Sequence, residues 1–340
     1  MTLERSATGG YAQEAGLIAD LVDLGGAGLV ITEFGADPAA SEAGAGAVRL
    51  GVHRRGPRPQ GLLEGFDILL SADRDAPRPW VGADPGALDD TVADIAARVA
   101  AQPAAAAVAA QVLRMTLQLS FEQALLLESI GYSMLLASEG FRTWRLATPV
   151  RERDPDDAPR VVLRSDGSVL CIELNRPAAR NAFDARMRDE LVEALAFAAE
   201  EPDGLAITLR GRGPAFSAGG DLDEFGRAAD PGQAHLIRTL RAPARMVHEM
   251  RERVTARVHG ACVGAGIEVP AAAGRLTAQA GAFFRLPEVS MGLIPGAGGT
   301  ASIPRRIGRR RTCYMAISGA DIDLPTALAW GLVDAIGPAA

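Results

Sequence analysis

Four segments, the last three glycine-rich, hold the residues of this chain best suited to chemistry: LNRPAARNAF at 174–183, AFSAGGDLDEF at 215–225, HGACVGAGIE at 259–268 and FRLPEVSMGLIPGAGGT at 284–300. Glycine-rich turns can aim backbone N–H groups at developing negative charge, and carboxylates such as Glu268 and Glu288 can take up and return protons. Gly260-Ala-Cys262-Val-Gly264 imitates the G-x-nucleophile-x-G turn of acyl-transfer enzymes, but no Asp/His partner pattern accompanies it, so Cys262 is expected to be a buried core thiol. His259 closes a predicted strand and is expected to make a structural hydrogen bond. His53, His235 and His248 lack the spacing of metal ligands. The GAGG run at 296–299 is not a dinucleotide fingerprint, because no G-x-G-x-x-G follows a strand there. All 35 basic residues are arginine, which excludes a lysine Schiff base and a P-loop NTPase. Any anionic ligand must be met by arginines or backbone amides.

The elements that would position these segments read as α/β. From Val161, VVLRSDGSVLCIELNRP predicts a hairpin turning at Asp166-Gly167, and DARMRDELVEALAFAAEE predicts a helix with Met187, Leu191 and Leu195 on one face. A strand (GLAITLRG), a long helical stretch to about Arg253, and the strands VTARVHG and RLTAQ follow, with glycines concentrated in loops after strands. Upstream, DDTVADIAARVAAQ, PAAAAVAAQVLRMTLQL and SFEQALLLESIGYSMLLASEG predict three consecutive helices. Pro103 suits a first helical turn, and Ser120 with Gln123 forms a capping box. GLIADLVDL predicts a short helix, while GLVITEF, AVRLGVH and FDILLSAD predict strands in a region whose fold the sequence does not name.

The chain has 340 residues, 48% hydrophobic and 23% charged, enough for one large or two modest cores, and 42 acidic against 35 basic residues give a net charge of −7. That balance argues against a nucleic-acid partner. Three unpaired cysteines, Cys171, Cys262 and Cys313, fit a reduced compartment and no disulfide framework. No N-terminal leader pattern and no run of about 18 apolar residues is present, so a cytoplasmic protein without a membrane partner is expected.

Together, in this order from about Leu163 onward, the four segments resemble the crotonase (enoyl-CoA hydratase/isomerase) superfamily. The resemblance implies a β-β-α spiral core, an acyl-CoA thioester as partner, a homo-oligomer (trimer or hexamer), and no metal or cofactor beyond the coenzyme A of the substrate. It places one oxyanion N–H donor at Gly220 and the other at Ala265, where relatives more often have glycine. Glu268 and Glu288 map onto the pair that activates water and handles the α-proton, which favours enoyl-CoA hydratase or 3-hydroxyacyl-CoA dehydratase chemistry. An isomerase or thioester hydrolase using Glu288 alone, or a non-catalytic partner subunit, are the alternatives. Expected substrate contacts are Arg180, Ala182, Ala218, Asp221 (also a possible helix N-cap), Leu222, Gly264, Pro295 and Gly296. Asp223 stands where relatives commonly carry lysine, so Arg180, Arg305, Arg306 or a neighbouring subunit is expected to meet the carrier's phosphates.

An ordinary member of the superfamily continues past its GLVD segment into helices that cover the site. Here residues 88–145, ending in Ser-Glu-Gly-Phe, resemble that helical segment but precede the core. They are expected to pack on it, with Leu125, Leu126, Ile130 and Met134 filling an apolar groove. The implied organisation is an N-terminal region at 1–85, the helical segment at 86–147, a linker at 148–160 and the core at 161–340.

Overall fold

The computed structural model describes residues 28–34, 46–59, 61, 63–151, 156–201, 204–228 and 230–337. The short helix expected at 16–24 lies outside them. The three strands expected upstream form as β1 (Leu29–Phe34), β2 (Val48–His53) and β3 (Ile68–Ser71), joined by β4 (Val81–Gly82) in a parallel four-stranded sheet of order β1-β2-β3-β4. A parallel sheet is covered on both faces. Leu50, Val52, Ile68 and Leu70 join the main core, whereas Leu69 packs with Ala76 and Trp80 on the other face.

Four helices follow: α1 (Leu88–Ala101), α2 (Pro103–Thr116), α3 (Phe121–Leu136) and α4 (Glu139–Ala147). Pro103 opens α2, and Ser120 and Gln123 close a capping box on α3. The third expected helix is two, because Ser138 starts a new one by accepting a hydrogen bond from the Phe141 N–H at 3.3 Å. Among the described residues no single helix is long and apolar enough to cross a membrane; α1 and α2 pass that test only as a pair bent by 107°.

The remainder builds an antiparallel hairpin and then a spiral of parallel strands. β5 (Val161–Ser165) and β6 (Val169–Leu174) turn at Asp166, whose Oδ1 accepts from the N–H groups of Ser168 and Val169, with Gly167 at φ +89°. Next come α5 (Ala185–Glu200) and β7 (Ala206–Gly211). The long helical stretch expected after it is interrupted at Arg241-Ala242, ahead of Pro243, giving α6 (Pro231–Leu240) and α7 (Pro243–Glu249). The chain continues through β8 (Val254–Val258), β9 (Ala261–Val263), the single turn α8 (Ala265–Glu268), β10 (Arg275–Ala278) and β11 (Phe283–Arg285). It closes with α9 (Gly299–Ile307), α10 (Arg309–Ser318), β12 (Ile322–Asp323), α11 (Leu324–Trp330) and β13 (Ala335–Ile336). One sheet has order β13-β10-β8-β7-β6-β5, and a smaller one has order β12-β11-β9.

Helices α2 and α3 pack on α9, α2 also on α10, and α4 sits on the turn at Glu288–Met291. The face that α3 turns inward is not the expected one. Leu126, Ile130 and Met134 are 46%, 52% and 57% exposed, whereas Phe121, Ala124, Glu128, Gly131 and Leu135 are buried. Small residues explain the choice: a Cβ on Gly131 would lie 3.1 Å from Val108 Cγ1 and 3.2 Å from Ile294 Cδ1, so larger side chains would hold the helix off. Of the four expected residues, Leu125 and Leu126 line the cavity, whereas Ile130 and Met134 do not.

The arginines of the last helices serve the fold. Arg309, Arg310 and Arg311 donate to the carbonyls of Glu64, Leu63 and Trp80 at 2.6, 2.6 and 2.9 Å, fastening the N-terminal sheet. Arg305 donates to Leu119 O at 2.8 Å and Arg306 to Ala273 O at 2.6 Å. The expectation that Arg305 or Arg306 meets a phosphate is thereby corrected, since their guanidinium groups are engaged with backbone carbonyls.

Candidate active site

A cavity of about 520 Å³ opens between α3, α6 and the loops that follow β7, β9 and β11. Gly220, Asp221, Ala265, Glu268, Glu288 and Gly296 all line it. The 174–183 loop sets the first wall. Asn181, buried with φ +52°, donates from Nδ2 to the carbonyls of Arg212, Ala215 and Phe216 at 2.9 to 3.0 Å, fixing the path into the AFSAGGDL segment. Phe183 N–H donates to Gly219 O and Asp221 N–H to Phe183 O, both at 2.8 Å. These bonds bracket Gly220, whose own N–H has no partner among the described residues.

The second donor is prepared by Gly264. Its φ of +50° lies in the left-handed region, and its N–H donates to Arg285 O at 2.9 Å. The chain then turns into α8, leaving the Ala265 N–H without a partner among the described residues. Ala265 is not among the residues with positive φ, so its methyl group is tolerated. Because α8 is one turn long, little helix dipole stands behind this N–H, and its donor capacity is that of a single amide.

Two carboxylates converge on Gly264: a Cβ there would lie 2.5 Å from Oε1 of Glu288 and 3.7 Å from Oε1 of Glu268. Their surroundings differ. Glu268 Oε2 accepts the N–H groups of Ala297 and Gly299 at 2.7 and 2.9 Å. Glu288 lies on the 3₁₀ turn Glu288–Met291 beside buried Leu286 and Val289, and its Oε2 is buried without a hydrogen-bond partner. Burial pushes Glu268 up to about 7 against the pull of its N–H donors. Glu288 stands well above the ordinary carboxylate range, first through burial and then through the charge of Glu268.

A third glutamate arrives from α3. Glu128 Oε1 accepts from Gly298 N–H, and Oε2 accepts from the N–H and hydroxyl of Thr300, all at 2.7 Å. Burial and the Glu268 charge push Glu128 up to about 8, opposed by those donors. Glu128 and Glu268 therefore grip alternate N–H groups of one loop. Ser129 and Tyr132 of α3 and Arg238 of α6 complete this side of the cavity. The sequence patterns did not single out Glu128, Tyr132, Arg238 or Asn181. Glu128 carried one signal, a carboxylate set in the apolar run from Leu125 to Ile130.

Several expected contacts lie elsewhere. Arg180 is exposed at φ +50° and does not line the cavity; its carbonyl accepts from Ala218 N–H at 2.9 Å. Ala182 and Pro295 are buried outside the lining, Gly264 backs the carboxylates, and Leu222 O accepts from Arg145 at 2.5 Å. Asp221 begins no helix, because residues 222–226 form turns and its carboxylate is held by Arg176 at 2.6 Å. Cys262 is buried, with its thiol pushed well up by desolvation, and His259 Nε2 lies 2.8 Å from Gly213 O, as expected of structural roles.

Residues 164–340 match the family model described as enoyl-CoA hydratase/isomerase. YhaR of Bacillus subtilis, provisionally named an enoyl-CoA hydratase/isomerase, is 34% identical over 170 residues, 50% of this chain and 66% of YhaR. The mevalonyl-coenzyme A hydratase SIDH of Beauveria bassiana is 35% identical over 178 residues, covering 50% of this chain and 64% of that one. The chain thus spans just under two thirds of the length of these curated relatives. A crystal structure of enoyl-CoA hydratase from Thermoplasma volcanium is 31% identical with a TM-score of 0.49, over 53% of this chain and 72% of that chain.

Proposed function

Because the chain belongs to the enoyl-CoA hydratase/isomerase family, we propose that it acts on an acyl-coenzyme A thioester, adding water to the α,β-bond of an enoyl group or removing it from a 3-hydroxyacyl group. The observation that carries this reading is the unequal pair of acids facing one cavity with two unspent N–H groups. The thioester carbonyl sits between the N–H groups of Gly220 and Ala265, where each donor to a developing oxyanion is worth roughly 100- to 1000-fold in rate. Glu268 is the better base, since two N–H donors favour its ionised form. It takes a proton from water as oxygen bonds to the β-carbon, and the double-bond electrons move to the carbonyl oxygen as an enolate. Glu288, held protonated by its apolar surroundings, then delivers its proton to the α-carbon. Exchange with solvent returns both acids to their starting states, and dehydration runs the same steps backwards.

Incubation with a panel of enoyl- and 3-hydroxyacyl-CoA thioesters, read by mass spectrometry, tests this. Gain or loss of one water is the expected result. Isomerisation without mass change, or release of free coenzyme A, would favour the single-acid alternatives. No reaction despite thioester binding would favour a non-catalytic partner. The proposal includes independence from metals, so activity should survive dialysis against EDTA. It also includes a homo-oligomer, supported by the exposed stripe Leu126, Ile130 and Met134 with Leu236 and Leu240 of α6.

A further inference from the structure

Among the described residues two arginines line the cavity without an acid partner, the half-buried Arg238 and the exposed Arg241. Arg238 lies over the ring of Tyr132 at 4.2 Å, and its Nη1 donates to the hydroxyls of Ser129 and Ser133 at 2.9 and 3.0 Å and weakly to Ser129 O at 3.4 Å. Among the described residues these hydroxyls and this carbonyl are its only hydrogen-bond acceptors, leaving Nε and Nη2 unspent. Its neighbours on the lining are handled differently: Arg188 pairs with Asp189 at 2.9 Å, Arg245 faces Glu249 at 3.7 Å, and Arg241 is exposed. Glu128, whose charge reaches Arg238, spends both oxygens on Gly298 and Thr300. Desolvation without a paired anion lowers the guanidinium pKa, so the protein stabilises this cation poorly when alone.

Tyr132 adds a second unspent donor. Its ring closes on Gly296, where a Cβ would collide with it, and burial holds the phenol protonated. Its hydroxyl lies in the field of Glu128, Glu268 and Glu288 but has no hydrogen-bond partner among the described residues. Leu125, Leu136, Ile237 and Val269 supply apolar walls to the same cavity. A guanidinium fork and a protonated phenol, both able to donate, within such walls match an anionic, two-oxygen acceptor.

We infer that Arg238 and Tyr132 form a subsite for a carboxylate carried on the acyl group, so that the substrate is the thioester of a dicarboxylic acid rather than of a plain fatty acid. This rests on the thioester reading of the cavity. The positions agree with the division of labour there: Gly220, Ala265, Glu268 and Glu288 surround the reacting carbons, and the α3–α6 side reads the far end of the chain. Arg238 is a specificity residue in this scheme and takes no proton.

Titration calorimetry of the full chain with glutaryl-CoA and valeryl-CoA, which match in chain length and cannot be hydrated, tests the subsite apart from turnover. Glutaryl-CoA should bind at least about tenfold tighter, and Arg238→Gln should bring the ratio of the two Kd values to near one. Tyr132→Phe should reduce that ratio about threefold, and carries the same comparison should the Arg238 variant fail to fold. Equal affinities for the two ligands, or a ratio that survives both substitutions, overturn the subsite and leave the thioester reading standing. A loss in Arg238→Gln that is as large for free coenzyme A assigns the guanidinium to the carrier's phosphates and likewise overturns it. Binding of neither thioester brings down the thioester reading, and the subsite with it.

Discussion

Glu268 and Glu128 come from different regions, one from the strand-and-helix core and one from the helices that precede it, yet both accept hydrogen bonds from the loop at 297–300. Glu268 places Ala297 and Gly299 on a single oxygen and keeps Oε1 free beside Gly264. Glu128 commits both oxygens, to Gly298 on one side and to Thr300 twice on the other. Spare acceptor capacity facing the cavity is what separates a carboxylate available for proton transfer from one that serves as a strut. Burial raises the pKa of both, so a perturbed pKa alone would not have told them apart.

The largest effect should appear where the free oxygens are removed. Glu268→Gln and Glu288→Gln should each lower kcat by roughly 100- to 10,000-fold with thioester binding retained; near-normal turnover in either would break the contrast with Glu128. Glu128→Gln, which sets an NH₂ group against an N–H donor, should cost about 1–3 kcal/mol of stability in denaturant titrations. In the folded variant, kcat should drop by less than about tenfold; a drop as large as in Glu268→Gln would make Glu128 part of the chemistry.

The two faces of α3 give a finer comparison. Leu135→Ala, at a buried position, should cost about 2–5 kcal/mol, whereas Leu126→Ala, largely exposed, should change stability by about 0.5 kcal/mol or less in a monomer. Equal losses would mean that the outward stripe is covered in solution. The smallest effect concerns pH dependence. Glu268 must be ionised to act, so kcat/KM should fall about tenfold per pH unit below about 7. Glu288 must be protonated, so activity should also fall on the alkaline side. Because Glu128, pushed up to about 8, is protonated over the range in which Glu268 titrates, Glu128→Gln should leave the acidic limb in place.

Much of the core side of the site was legible because it rests on local backbone. Glycine at 264 and the turns flanking Gly220 set their N–H groups within a few residues, and the cap at Ser120 is likewise local. Three upstream strands and the hairpin at Asp166 were readable from alternation and turn chemistry. The opposite wall was not. Its helix α3 carries leucines on most sides, so an apolar stripe could be drawn on the wrong face. The buried face is built from Ala124, Glu128, Gly131 and Ser133, whose suitability depends on a loop far along the chain. Arg238 was hidden for the same reason, since an arginine on an amphipathic helix is ordinarily solvated. Arg305 and Arg306 mislead in the opposite direction: charge suggested a ligand, and the partners include carbonyl groups.

The bonds from Glu128 to Gly298 and Thr300 bridge 170 and 172 positions. During synthesis the helices at 88–147 leave the ribosome before the loop that they must hold exists. At about 5–20 residues per second, Glu128 waits roughly 9–35 seconds for its partners. Throughout that interval it is an ordinary hydrated carboxylate, and the small-residue face around Ala124 and Gly131 has nothing to close on. The wall of the cavity is therefore made early and seated late, an order that limited proteolysis of stalled nascent chains can read directly. Long-range closure of this kind slows folding, and it prolongs the exposure of Phe121 and Leu135, which the folded chain buries.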